Sequence, residues 1–244
     1  HGLVYAHPAA QIYGLNEDDM KVLLQIEEHE PYQRLVGKVG TLSLQFGGGG
    51  QAYLKMGAQY GLDVDFERGE EIKNEWRANN KEIVGYWYKL EEAWESAVTY
   101  PGSVYKAGII LFRVNGDFME IRLPSGRLMK YYKPQYSGEG CTYEGIDTYT
   151  RQWKRVQTWG GKLLQNLTEA IGRDRMAHGM LTLERSGKYP ILGTVHDEVI
   201  TEPNEGEGSI EEGIELMCRP PSPDWSEGLP VGASGFRAKR YKKD

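Results

Sequence analysis

The chain has 244 residues, 39% of them hydrophobic and 11% aromatic, and carries a formal net charge of −6. That length and ring content suffice to bury a core and exclude a disordered or fibrous protein. Two distant cysteines, Cys141 and Cys218, exclude a disulfide framework and a cysteine-based zinc site.

The first third reads as helical. Asn16 is a natural cap before Glu17-Asp18-Asp19, and Met20 to Ile26 continues that helix. A second helix is predicted from near Pro31 to the Gly47-Gly48-Gly49-Gly50 tract, which stops it and reads as a flexible end able to act as a hinge. Two more follow over Phe66 to Asn79 and Ile83 to Val98, the latter with Ile83, Tyr86, Trp87, Leu90, Ala93, Trp94 and Ala97 at helical spacing. The period then switches to alternation. Ile109 to Val114, the turn Asn115-Gly116 and Phe118 to Leu123 read as a hairpin, and Pro124-Ser125-Gly126 turns into a third strand over Arg127 to Tyr132.

A loop is expected through Tyr143, then a long amphipathic helix from near Trp159 to Leu183. Ile191 to Thr201 reads as a second hairpin with the Asp197-Glu198 pair at its turn, followed by a short acidic helix over Ser209 to Met217. Arg219-Pro220-Pro221-Ser222-Pro223 forbids regular structure beyond it. The expected class is α+β, with a mainly helical region over residues 1–100 and a region of antiparallel hairpins, long helix and tail over 101–244. No apolar run approaches the ~20 residues of a membrane span. The start, His1-Gly2-Leu3-Val4-Tyr5, lacks a basic region followed by an apolar stretch, so the sequence reads as soluble, intracellular and without a membrane partner.

Two constellations carry chemistry. Arg34, Lys38, Leu42 and Phe46 stand four apart on the second helix and form a slowly winding stripe. Arg and Lys one turn apart suit a polyphosphate, and the apolar and aromatic residues beyond suit a sugar or base, although an ordinary basic surface helix has the same spacing. In the second hairpin Asp197 and Glu198 interrupt an apolar run. Burying unpaired carboxylates costs several kcal/mol, so a hard cation, Mg²⁺ or Mn²⁺, is the expected companion of Asp197, and a solvent-exposed acidic turn is the plain alternative. His196 either contacts a phosphate or packs. Local positive charge with interleaved aromatics falls in Arg151-Gln152-Trp153-Lys154-Arg155 and in the tail Arg237 to Lys243, which are either solvated faces or nucleic-acid contacts.

In combination these segments resemble the family A DNA polymerases, and among them the phage and viral members. The stripe Arg34-x3-Lys38-x3-Leu42-x3-Phe46-Gly47 is similar to that family's fingers-helix motif, and Val195-His196-Asp197-Glu198 is similar to its second palm carboxylate motif. Trp76-Arg77-Ala78-Asn79-Asn80, Trp159-Gly160-Gly161-Lys162-Leu163 and Gly235-Phe236-Arg237-Ala238-Lys239-Arg240-Tyr241 follow the viral branch in the same order.

The resemblance implies template-directed addition of deoxynucleotides to a primer 3′-hydroxyl by two-metal nucleotidyl transfer, in the cytoplasm of a host cell. It assigns Arg34 and Lys38 to the incoming triphosphate, with Lys38 also a general acid toward pyrophosphate, and Leu42 and Phe46 to the nucleotide where the family usually has aromatic residues. Asp197 would hold the metals, Glu198 would assist, and His196 would lie by the primer terminus. Arg127, Arg151, Lys154, Arg155 and Lys162 are candidates for the backbone of primer-template DNA. The family's first catalytic aspartate, in a pattern like Asp-x-Ser-x-x-Glu on an upstream palm strand, does not occur, nor does a thumb. The expected chain is therefore a C-terminal polymerase piece, either a split subunit whose partner is an N-terminal polypeptide carrying that aspartate or a truncated fragment. The alternative is a non-catalytic nucleotide- or nucleic-acid-binding remnant, and a metal hydrolase built on Asp197 and Glu198 is weaker for want of further ligands.

Overall fold

A computed structural model describes residues 5–26, 32–138 and 140–242. The protein is α+β, with eight helices and six strands in one antiparallel sheet and two in another among the described residues. The chain divides into two compact units, the first comprising residues 1–121 and 130–166, the second residues 122–129 and 167–244.

The first unit begins with helices α1 (Ala6–Tyr13) and α2 (Glu17–Ile26). Asn16 caps α2 as its sequence promised, its Oδ1 accepting from the Asp19 N–H at 2.8 Å. Helix α3 (Tyr32–Leu44) follows, while its expected start at Pro31 lies outside the described residues. The glycine tract ends α3 and immediately opens α4 (Gly50–Gln59). It is packed rather than loose. A Cβ on Gly48 would lie 1.9 Å from the Ser43 carbonyl oxygen, and the Gly50 N–H donates to Glu70 Oε1 at 3.0 Å, so a carboxylate from the next helix caps α4.

Helices α5 (Phe66–Asn79) and α6 (Lys81–Thr99) close the helical core, in which Val36, Val39, Leu44, Tyr53, Ile72, Trp76 and Trp87 are buried together. The Trp76 and Trp87 rings stack at 6.2 Å, and Arg77 donates to the Gly48 carbonyl at 3.2 Å. Asn80 Nδ2 reaches Gln11 Oε1 at 3.0 Å. The Trp76 to Asn80 motif thus serves packing and the closing of the helical core.

Six strands follow in sequence order: β1 (Tyr105–Ala107), β2 (Ile110–Asn115), β3 (Phe118–Arg122), β4 (Leu128–Ser137), β5 (Gly140–Ile146) and β6 (Trp153–Thr158). The first hairpin and third strand stand where alternation puts them. The loop expected through Tyr143 is instead the end of β4 and most of β5, with β6 paired beyond. These strands escape the apolar alternation test because one face is built of tyrosine, glutamate, arginine and threonine. The face toward α6 is aromatic: Tyr131 meets Trp94 edge-on at 5.4 Å and Tyr143 at 4.9 Å.

On the other face Glu120 is buried beneath two cations, Arg113 Nη2 at 2.8 Å and Lys130 Nζ at 3.1 Å. Arg113 first and Lys130 second hold its carboxyl down to about 2 from an ordinary 4.5. A carboxyl depressed in the folded state stabilises the fold above its unfolded pKa and loses that contribution as the pH falls toward the folded one. Glu120→Gln is therefore expected to flatten the acid limb of stability between about pH 4.5 and pH 2, measured by urea unfolding at stepped pH. Identical slopes for the two proteins in that window would contradict the pairing.

The second unit contains the later turns of helix α7 (Gly160–Arg185), the hairpin β7 (Ile191–Val195) and β8 (Glu198–Thr201), and helix α8 (Ile210–Cys218). Leu183, Tyr189 and Leu216 form its core with Val199 and Met217. Buried Arg175 donates to the carbonyls of Cys218 at 2.6 Å and Arg219 at 2.8 Å, satisfying the orphan acceptors at the end of α8. Among the described residues no helix is long and apolar enough to cross a membrane.

Candidate functional site

Helix α3 presents two sides because its apolar residues recur at helical spacing. Val36, Val39, Ser43 and Leu44 are buried, and Arg34, Lys38, Leu42 and Phe46 occupy the half-buried to exposed side as the stripe predicts. Two tyrosines that sequence reasoning missed seat its cations. The Arg34 guanidinium carbon lies 5.5 Å from the Tyr5 ring centre, and Lys38 Nζ lies 4.6 Å from that of Tyr60. No spacing signal could have linked them, since each comes from a different element. The rings restrict two long cationic side chains one helical turn apart.

The end of the stripe is clamped by the first turn of α7. Trp159 Nε1 donates to the Phe46 carbonyl at 3.2 Å, and the Gly160 N–H donates to Glu91 Oε1 at 2.6 Å. Gly160 and Gly161 are both buried, and their missing side chains permit the close approach. The Trp159 to Leu163 motif therefore positions Phe46, with Leu163 fully buried and Lys162 held by Gln165 at 3.0 Å.

In the second unit Val195 pairs with Glu198, leaving His196 and Asp197 as the two turn residues. His196 has φ 55°, a left-handed conformation that His tolerates better than bulkier or branched residues. Asp197 is exposed. Exposure removes the desolvation penalty that suggested a compensating cation, so the metal expectation rests on accessibility and charge alone. Among the described residues the Asp197 carboxylate has no hydrogen-bond or ion-pair partner. Glu198 is half-buried and engaged: Tyr241 donates to its Oε2 at 2.9 Å, which pushes the Tyr241 phenol upward. The C-terminal motif therefore holds the hairpin's second carboxylate, a role that spacing could not reveal.

Among the described residues no three His, Cys, Asp or Glu side chains gather as a metal cluster. A Mg²⁺ ion commonly takes one or two protein carboxylates and completes its shell with phosphate and water oxygens. Asp197 fits as one such ligand, and the described chain offers no full cage.

The basic candidates have separate surroundings. Arg127 is tied to Asp174 at 2.6 Å and to the Ala170 carbonyl at 3.0 Å. Lys154 pairs with Asp147 at 3.0 Å and Arg155 with Glu144 at 3.2 Å, while Arg151 is exposed with φ 57°. The α3 stripe belongs to the first unit and the Asp197 turn to the second.

No family model matches the chain. A DNA polymerase of Bacillus phage SP02 is 34% identical over 252 residues, covering 100% of this chain. The chain spans 37% of the length of that curated relative.

Proposed function

We propose that this chain is the fingers and palm part of a family A DNA polymerase, extending a primer 3′-hydroxyl with deoxynucleoside triphosphates on a DNA template. The observation that carries the reading is the 34% identity, across the whole chain, with a phage DNA polymerase. The half-buried cations Arg34 and Lys38 of α3 and the accessible Asp197 support it.

In this reading the primer hydroxyl gives up its proton to solvent and its oxygen bonds to the α-phosphorus while the bond to pyrophosphate breaks. Arg34 and Lys38 bind the triphosphate, and Lys38 supplies a proton to the departing pyrophosphate. Leu42 and Phe46 bound the sugar and base, the clamp at the Phe46 carbonyl fixing the latter's backbone. Asp197 contributes one carboxylate toward Mg²⁺ or Mn²⁺, with Glu198 beside it, and His196 faces the primer end. The metal, when bound, supplies charge neutralisation of the phosphates. Arg151, Lys154, Arg155, Lys162 and Arg127 are proposed contacts to the DNA backbone.

A further carboxylate from outside this stretch, on a second polypeptide or on a longer form of the chain, completes the site. One observation favours it: the hairpin that carries Asp197 forms a sheet of two strands among the described residues. A two-stranded hairpin is marginally stable alone and has open edges for pairing.

Primer extension with Mg²⁺ tests the reading. This chain alone is expected to synthesise no product, and the chain combined with an N-terminal polymerase polypeptide bearing an aspartate is expected to extend the primer. Extension by the purified chain alone would overturn the need for a complement. No extension by a verified complex would favour a nucleotide- or nucleic-acid-binding remnant.

A further inference from the structure

The β-sheet of the first unit has one face against α6 and another that nothing in the described chain explains. Because side chains alternate across a strand, Tyr131 turns to Trp94 while its neighbour Tyr132 turns outward. On that outer face the ring centres of Phe118 and Tyr132 lie 5.3 Å apart, and those of Tyr132 and Trp153 lie 6.1 Å apart. The register supports the row, since Tyr132 is opposite Glu144, Glu144 opposite Arg155, and Ile146 opposite Trp153. Trp153 is 59% exposed and Phe118 is 38% exposed, an unusual amount of ring surface to leave in water on neighbouring strands.

The charge around the rings is one-sided. Arg113 and Lys130 share Glu120, and Lys133 and Arg155 share Glu144, so four cations meet two carboxylates and leave an excess of two positive charges. The carboxylates lie deeper, with Glu120 side-chain exposure at 8% and Glu144 at 28%, whereas the Lys130 and Lys133 side chains are 50% and 47% exposed. Lys130 Nζ is 5.6 Å from the Phe118 ring centre and Lys133 Nζ is 5.3 Å from that of Tyr132.

We infer that the row Phe118, Tyr132 and Trp153, flanked by Lys130, Lys133 and Arg155, is a stacking surface for single-stranded nucleic acid. Flat rings on a sheet accept unpaired bases of any sequence, and the flanking cations meet the phosphates between them. A duplex keeps its base faces stacked internally and cannot use such a row. The combination of polyanion-complementary charge with exposed rings selects this partner over an apolar protein surface, which would desolvate the excess positive charge without compensating it. The surface is separate from the proposed triphosphate and metal residues and shares only Arg155 with the proposed backbone contacts.

The test is fluorescence anisotropy of a labelled oligo-dT strand with the full chain, alongside a strand of equal length and charge made abasic. The full chain is expected to bind oligo-dT and to bind the abasic strand far more weakly. Trp153→Ala is expected to weaken oligo-dT binding by roughly five- to a hundredfold without moving the thermal midpoint, and Trp153→Phe to keep most of the affinity. Phe118→Ala is the second variant should Trp153→Ala disturb folding, and it is expected to weaken oligo-dT binding in the same direction. Equal affinity of wild type and the folded variants, equal affinity for dT and abasic strands, or no binding at all would overturn the inference. Primer extension by the chain with its complement reads the triphosphate and metal residues, none of which lies in the ring row, so the two readings fail separately.

Discussion

Gly161→Ala is expected to destabilise the helical unit by more than about 3 kcal/mol, seen as a fall in thermal midpoint of roughly 6–12 °C by circular dichroism. A Cβ at this buried position would lie 2.1 Å from the Phe46 carbonyl oxygen and 2.4 Å from its carbon, with the Gly47 nitrogen at 2.9 Å. Those are backbone atoms and cannot rotate aside, so α7 and the end of α3 must separate. Separation breaks the 3.2 Å bond from Trp159 to the Phe46 carbonyl and releases the last residue of the cation stripe. A counter-example lies on the same helix. Gly172 has open space where a Cβ would go, and its replacement by alanine should stabilise the protein by about 0.5–1 kcal/mol. Coincident melting of Gly161→Ala and wild type would show that the close approach does not hold the unit together.

The same glycine pair shows what the sequence could and could not disclose. Gly160 and Gly161 are legible as part of a motif resembling a polymerase segment, but their physical task is set by Phe46 and Trp87, distant in sequence. Periodicity located α3, α5, α6, α7, α8 and both predicted hairpins, since each has an apolar face recurring at the period of its own backbone. It failed over β5 and β6, where cross-strand charge pairs such as Glu144 with Arg155 replace apolar alternation. It also took the Gly47–Gly50 tract for a hinge, whereas Ser43 and Glu70 pack it closely. At the candidate sites the stripe was readable because one helix carries it. The tyrosines beside Arg34 and Lys38, and the Tyr241 bond to Glu198, come from other elements and exist only once the chain is folded. Burial was the one physical quantity that the hairpin sequence misstated: an apolar run suggested a sequestered carboxylate, yet the turn projects Asp197 into solvent.

That exposure gives Asp197→Asn an interpretable consequence. Asparagine preserves the size of the side chain and is well suited to a turn, while it removes the charge that a hard cation requires. With no partner among the described residues to lose, stability is expected to stay within about 0.5 kcal/mol of wild type. Primer extension by the chain with its complement is expected to fall by at least about a hundred- to a thousandfold, the scale seen when one preorganised electrostatic group is removed from a reaction centre. Glu198→Gln should cost less, because an amide oxygen still accepts the hydrogen bond that Tyr241 donates to the carboxylate. The two measurements together separate the roles. A drop in activity with an unchanged melt assigns Asp197 to chemistry, a drop in both assigns it to the turn, and full activity in Asp197→Asn removes it from the metal site. The order of the two losses carries equal weight, since a larger loss at Glu198 would place the working carboxylate on the strand and leave Asp197 as its turn.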